Sequence, residues 1–245
     1  MKISAYILCF NESLMIRHTL NYYSKFCTEI TVLNNNSTDD SIEIITNEYP
    51  DVKIKNFGEP NLYREDIQTD IKNNCWKESD ADYVIVCDMD EFLYAENLPE
   101  KLKLLEEQKP AICSVIGYEM FSKKFPKDYK TSLLDQVKYG VRNYRFDKTI
   151  IFSPKKVKNI NFDYGAHSCD PEFYTSGNQD ILFEFKLLHF KYLSKKYLYR
   201  KHLKYMKRMS KINIVNRWGA EYTEGKKHID KKFKLAKKHL FKIIP

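Results

Sequence analysis

The 245-residue sequence predicts an α/β protein with a mostly parallel central sheet flanked by helices, followed by a basic helical C-terminal extension. Three observations lead to this prediction. Apolar runs typical of strands alternate with segments of helical periodicity over the first 97 residues. Polar residues cluster directly after three of these apolar runs. Residues 186–245 contain 19 Lys and Arg against 3 Asp and Glu, whereas residues 1–185 contain 22 against 30, so an acidic body precedes a basic end.

The first 97 residues are read as alternating strands and helices. The predicted strands are Ile3–Phe10, Glu29–Leu33, Val52–Phe57 and Tyr83–Cys87. The predicted helices are Ser13–Phe26, the segment that carries Ile42, Ile45 and Tyr49, and Arg64–Ser79. Strands joined by helices in this way require right-handed crossovers and pair in parallel.

The second half of the chain has a less regular pattern. A short helix is expected around Leu102 and Leu105, and further strands are expected at 112–121, 148–153, 157–162 and 182–192. Residues 194–216 look helical, and 226–244 form an amphipathic pattern with lysines opposite an apolar stripe. We therefore expect one domain over 1–193, with a ligand-binding half at 1–97 and a second half at 98–193, and the basic extension over 194–245.

Three polar clusters follow apolar strands. They are Asn11-Glu12, Asn34-Asn35-Asn36 and Asp88-Met89-Asp90-Glu91. The carboxyl ends of parallel strands lie at one edge of a sheet, and ligands of open α/β sheets bind there. The clusters are therefore expected to meet at one site.

The acidic cluster that begins at Asp88 is unfavourable unless positive charge lies within it. Carboxylates held by a rigid strand suit a hard divalent cation that also binds substrate phosphates. The alternative is a carboxylate pair that caps a turn or faces water. Asp88 and Asp90 are the expected ligands, whereas Glu91 is expected to brace the loop.

These residues together resemble a known family. Ile3–Asn11, the loop Asn34–Asp39, Arg64 and the stretch VIVCDMDEFL at 84–93 are similar to a GT-A (Rossmann-like) glycosyltransferase of the family 2 kind, in the branch with an extended D-x-D-E-F-L motif. The similarity continues more weakly through 147–152, 165–168, 187–191 and 218–219.

The resemblance implies a metal-dependent, inverting transfer of a sugar from a nucleoside-diphosphate donor to a glycan or lipid-linked glycan. Donor-binding residues would be Phe10, Asn11, Glu12, Asn34, Asn36, Asp39, Arg64 and Asp88. Mn²⁺ or Mg²⁺ would bind Asp88 and Asp90 together with His189, or with His167 as the competing histidine. Inversion also needs a carboxylate base. The candidates for this base are Asp170, Glu172 and Glu119.

Other interpretations remain open from the sequence. A sugar nucleotidyltransferase would share the sheet and carboxylates but would more often carry a glycine-rich phosphate loop after the first strand, where this chain has Asn11-Glu12-Ser13-Leu14. A nucleic-acid-binding protein would use the basic end but would leave the acidic cluster unexplained, so no nucleic acid is expected.

The surroundings of the protein are also predicted from composition. Six cysteines without a C-x-x-C pair indicate free thiols in a reducing compartment, and no apolar stretch is long enough to span a membrane, so a cytoplasmic location is expected. The final helix could rest its apolar stripe on an anionic membrane or pack it against the core.

Overall fold

The computed structural model describes residues 1–175 and 181–245, with the backbone alone for 181–184. Its first half alternates strands and helices as predicted. These elements are β1 (Ile3–Cys9), α1 (Ile16–Tyr23), β2 (Glu29–Asn34), α2 (Ser41–Glu48), β3 (Lys53–Asn56), α3 (Glu65–Asn74) and β4 (Tyr83–Asp88). The strands lie in the order β3-β2-β1-β4 and all pair in parallel. This part of the fold prediction is confirmed.

The second half extends the same sheet with strands of mixed direction and adds a separate two-stranded sheet. The next elements are β5 (Glu91–Tyr94), α4 (Leu98–Gln108), β6 (Ile112–Phe121), α5 (Leu133–Gln136), β7 (Tyr139–Arg142), β8 (Thr149–Phe152), β9 (Val157–Asn159), β10 (Glu172–Phe173) and β11 (Ile181–Tyr192). β8 pairs antiparallel with both β4 and β6, and β11 lies parallel to β6 and antiparallel to β5. The α/β fold is confirmed, although the parallel arrangement belongs mainly to the first half.

Residues 194–245 form α6 (Lys195–Met206), α7 (Lys211–Val215), α8 (Lys226–His239) and β12 (Phe241–Lys242). The single predicted helix over 194–216 is two helices, because each begins at a serine whose side chain caps it. Ser194 accepts a hydrogen bond from the Tyr197 N–H, and Ser210 from the Asn213 N–H.

The final amphipathic segment packs against the protein itself. Ile229 and Ala236 on α8 are buried, and the helix ends at His239 rather than continuing to 244. β12 pairs with β7, and Ile243 and Ile244 are buried in the main core. These contacts favour the interpretation in which the stripe packs against the core, since most of its apolar residues are used inside the fold. The sheet and the core also continue across the boundaries expected at 97 and 193.

Two further expectations concern the chain as a whole. All six cysteines are free thiols, in agreement with the prediction. None of the helices found in 1–175 and 181–245 combines the length and the hydrophobicity that a membrane span requires.

Candidate active site

A cleft lies at the carboxyl ends of β1, β2 and β4, where the polar clusters were expected to meet. It encloses about 1030 Å³ with its open mouth included. Residues from the first half that line the cleft include Phe10, Glu12, Asn35, Asp88 and Asp90. Residues from the C-terminal part also line it, among them Lys191, Lys201, Tyr205, Trp218 and Glu221. Residues from both ends of the chain therefore build one site.

Lys201 on α6 is the ammonium group at the centre of the acidic cluster. Its Nζ atom lies 2.7 Å from an oxygen of Asp90 and 2.8 Å from an oxygen of Glu12. Burial alone would lower the pKa of Lys201, but the charges of Asp90 and Glu12 raise it well above its usual value. The same contacts hold the pKa of Asp90 well below its usual range despite burial. Asp90 and Lys201 are therefore both charged inside the protein.

Lysines also accompany the other two carboxylates of the cluster. Lys72 on α3 lies 2.8 Å from Asp88, and Lys148 pairs with Glu91 in a fully buried contact. Burial would raise the pKa of Asp88, but Lys72 and Lys148 lower it to about 2. Glu91 also accepts a hydrogen bond from the Asp88 N–H at 3.1 Å. The prediction that Glu91 braces the loop is thus confirmed, and Asp88, with a side chain 39% exposed, faces the cleft.

His189 sits between two carboxylates. Its Nε2 lies 3.4 Å from Asp90 and its Nδ1 lies 3.0 Å from Glu119. Burial alone would lower the pKa of His189, but Glu119 and Asp90 raise it to about 10. In this arrangement His189 is a counter-ion of Asp90, and its Nε2 atom faces that carboxylate. His167 also lines the cleft, and burial and Lys148 lower its pKa, so its ring stays neutral.

Carboxylates outnumber lysines among the residues that line the cleft. The lining includes six carboxylates, four lysines and two histidines, and the guanidinium of Arg208 contacts the lining residues Phe10 and Asn35. An added cation would therefore favour the binding of an anionic ligand such as a diphosphate. In the described residues, however, no three His, Cys, Asp or Glu side chains could hold a metal ion by themselves. A cation would fit if ligand phosphate oxygens completed its coordination, as is common for Mg²⁺.

The asparagine-rich loop is organised mostly by its own contacts. The Asn34 amide donates to the Asn56 side chain, and its oxygen accepts from the Ser37 N–H. Asn11 uses its side-chain oxygen to accept from the Thr38 N–H, and both Asn11 and Asn36 adopt a positive φ. Asparagine tolerates this backbone conformation better than most residues.

The structure brings together part of the predicted site. Of the proposed donor-binding residues, Phe10, Glu12 and Asp88 line the cleft, and Asn35 lines it where Asn34 and Asn36 were expected. The predicted residues outside the described lining are Asn11, Asn34, Asn36, Asp39 and Arg64. Asp39 binds Ser13 and Ser41, and Arg64 pairs with Asp66.

The predicted catalytic bases are also separated. Asp170 is exposed, and Glu172 accepts hydrogen bonds from Asn159 and Asn161 outside the cleft lining. Glu119 lies behind the cleft, where it contacts His189 and accepts from the Asn143 amide. Glu221 faces the cleft instead, with its side chain 40% exposed and paired with Lys191.

Aromatic residues that sequence reasoning did not single out form part of the cleft wall. The rings of Tyr205 and Tyr222 stack 4.5 Å apart, and Tyr63 meets both edge-on. Tyr164 stacks on Trp218 at 3.8 Å. The tyrosine-rich composition of 190–222 was the available signal, but their convergence depends on the packing of α6 onto the sheet.

His202, on α6 beside this wall, predicts a pH dependence of stability. Its ring is buried against Tyr222, and burial followed by Lys191 lowers its pKa to about 4. In the unfolded chain a histidine has a pKa of about 6.5 and therefore binds a proton more readily than the buried His202 ring does. Stability consequently falls as the pH drops below that value. We expect the free energy of unfolding to be about 2 kcal/mol lower at pH 5 than at pH 7.5, and we expect a smaller decrease in the His202→Phe variant. Urea unfolding of both proteins at pH 7.5 and pH 5 measures it, and equal losses would contradict the assignment.

The fold and the position of the cleft are those of a glycosyltransferase with the GT-A fold. The sequence model described as glycosyl transferase family 2 matches residues 4–167, about two thirds of the chain. The chain therefore belongs to glycosyl transferase family 2, and the resemblance seen in the sequence is confirmed. No curated protein sequence matches the chain.

Solved structures with similar folds include S. aureus TarS 1-349, with 12% identity and a TM-score of 0.48, where the match covers 84% of this chain and 65% of that one. Full-length S. aureus TarS has 15% identity and a TM-score of 0.49, with coverage of 94% and 42%. Glucosyl-3-phosphoglycerate synthase from Mycobacterium tuberculosis has 18% identity and a TM-score of 0.33, with coverage of 47% and 44%. This chain thus spans less than two thirds of each.

Proposed function

We propose that this chain transfers a sugar from a nucleoside-diphosphate donor to a hydroxyl group of a glycan or lipid-linked glycan. Membership of glycosyl transferase family 2 supports the reaction class. One observation supports the location most strongly: the partly exposed Asp88 and the charged, buried Asp90 end the central strand inside an open cleft. Phe10 and Asn35 line the same cleft, where the nucleoside would bind.

A divalent cation, Mn²⁺ or Mg²⁺, belongs to this proposal. Asp88 would hold the cation at the cleft, with Asp90 and either His189 or His167 as further candidate ligands. The bound cation would offset the charge that develops on the departing diphosphate. Lys72 keeps Asp88 ionised, and Lys201 together with His189 keeps Asp90 ionised. These pairs fix the two carboxylates before the donor binds, which avoids reorganisation during the reaction.

Inversion at the sugar would need a carboxylate that accepts the proton of the acceptor hydroxyl. Glu221 is our candidate because it lines the same cleft as Asp88 and is partly exposed. Burial would raise the pKa of Glu221, but Lys191 lowers it to about 2, which keeps it ionised. Asp170 and Glu172 lie outside the cleft lining and are no longer favoured.

A thermal-shift experiment tests the donor site. We expect nucleoside diphosphates to raise the melting temperature only when Mn²⁺ or Mg²⁺ is present, because carboxylates outnumber lysines in the cleft lining and the cation lacks a complete set of protein ligands. At a hundredfold excess over Kd the ligand should add about 2.7 kcal/mol. Each nucleotide and each metal alone serve as controls. If no nucleoside diphosphate shifts the melting temperature with either metal, the proposed function is wrong.

A further inference from the structure

Helix α7 buries a polar residue and exposes apolar ones, which is the reverse of the usual pattern of a surface helix. Its polar residue Asn213 is completely buried, whereas Ile214 is 62% exposed and Val215 is 80% exposed. Ile212 on the same helix is also exposed, as is Met206 at the end of α6. Single exposed apolar residues are normal on soluble proteins, but a group of them within ten residues indicates an interaction surface.

The burial of Asn213 fixes this orientation. Its side-chain oxygen accepts a hydrogen bond from the Glu65 N–H at 3.1 Å, and its backbone carbonyl accepts one from the Trp218 N–H at 2.9 Å. Glu65 and Trp218 both line the cleft. The inner face of α7 is therefore tied to the cleft wall, and its apolar residues point outward beside the cleft.

Positive charge surrounds the apolar residues. Residues 195–220 contain nine Lys and Arg and no Asp or Glu. Lys207, Lys211 and Arg217 flank Ile214 and Val215 in the sequence and are exposed. Within 1–175 and 181–245 no carboxylate pairs with these three side chains, so their charges are available to a partner.

We propose that α7 and its flanking cations form a docking surface for an anionic lipid bilayer. Apolar side chains that enter the boundary between headgroups and acyl chains, with cations on anionic headgroups, are the physical basis of interfacial binding. A hydrophobic protein partner would match the isoleucines but would leave the unpaired cations without a role. The proposal goes beyond the transfer reaction and would place the cleft beside the membrane surface. The membrane contact would then be α7 rather than the final helix, since most of the apolar stripe of the final helix is buried.

Vesicle co-sedimentation tests the surface with the full chain. We expect binding to vesicles that contain roughly one third phosphatidylglycerol and little binding to pure phosphatidylcholine. The double variant Ile214→Ser/Val215→Ser should bind the anionic vesicles at least about tenfold more weakly. Leu235→Ser is the matched control, since Leu235 is 57% exposed on α8. Because all three side chains are exposed, the melting temperatures should stay close to that of the unmodified chain.

Three outcomes would overturn the proposal. The unmodified chain could fail to bind anionic vesicles, the double variant could bind them as well as Leu235→Ser does, or light scattering could reveal a dimer that only the double variant loses. The last result would assign α7 to contact between copies. None of these readouts requires activity, so they are independent of the nucleotide experiment that tests the proposed function.

Discussion

Replacement of Lys201 by methionine should destabilise the protein by about 3–5 kcal/mol, which is a large part of the stability of an ordinary domain. The Lys201 ammonium is the shared counter-ion of Glu12 and Asp90, and all three side chains are buried. Methionine fills a similar volume but carries no charge, so the two carboxylates lose their shared counter-ion. Among the ion pairs of the described residues, Asp90 would then keep its contact with His189 alone. Urea unfolding at pH 7 measures the loss.

Lys196→Met provides the matched control for this experiment. Lys196 lies on the same helix but is exposed on the opposite side, so its replacement should change stability by no more than about 0.5 kcal/mol. The double variant Lys201→Met/Glu12→Gln should recover part of the loss, because one of the uncompensated charges is then removed. Equal stability of Lys201→Met and Lys196→Met would show that the cluster does not depend on this ammonium group.

Replacement of Asp88 by asparagine should reduce sugar transfer by about 10²–10³-fold, the range found when a preorganised electrostatic group is removed from an active site. The side chain is 39% exposed at the cleft, and asparagine keeps its shape and its ability to accept a hydrogen bond from Lys72. Lys72 also lies near Glu91 and Glu65, whose charges raise its pKa. Stability should therefore change much less than in Lys201→Met.

Two measurements separate a lost site from a damaged fold. The melting-temperature increase that a nucleoside diphosphate and Mn²⁺ produce together should disappear in Asp88→Asn. Asp82→Asn is the control, because Asp82 precedes the same strand, is 41% exposed and pairs with the surface residue Lys155. Full transfer activity in Asp88→Asn would remove this carboxylate from the proposed mechanism.

The sequence predicted the structure correctly where the local pattern of a segment determines its conformation. Apolar runs such as Ile3–Phe10 and Tyr83–Cys87 predicted parallel strands, and the structure places them side by side in the sheet centre. The position of Asp88 and Asp90 at the end of such a strand then followed from chain direction. The loop Asn34–Asp39 was correctly placed beside them, but its side chains mostly hold the loop together. Asn36 also adopts a positive φ, which the spacing of the loop residues does not predict.

The cations that pair with the acidic cluster could not be identified from the sequence alone. From the sequence, the crowding of Asp88, Asp90 and Glu91 required positive charge nearby, and a metal ion was the natural candidate. The structure supplies much of that charge from Lys72, Lys148 and Lys201, which are far apart in the chain. Only four lysines line the cleft, whereas most of the others lie on the surface, so composition does not identify the buried ones.

The sequence by itself determined the family, the alternation of strands and helices in the first half, and the acidic residues that follow the central strand. Only the tertiary structure decided which cations meet those carboxylates and which side of each C-terminal helix faces the cleft. It assigned the apolar stripe of α8 to the core and left Ile214 and Val215 of α7 exposed. The reason is physical: local periodicity reports the shape of an element, whereas burial and charge pairing depend on what the rest of the chain places against it.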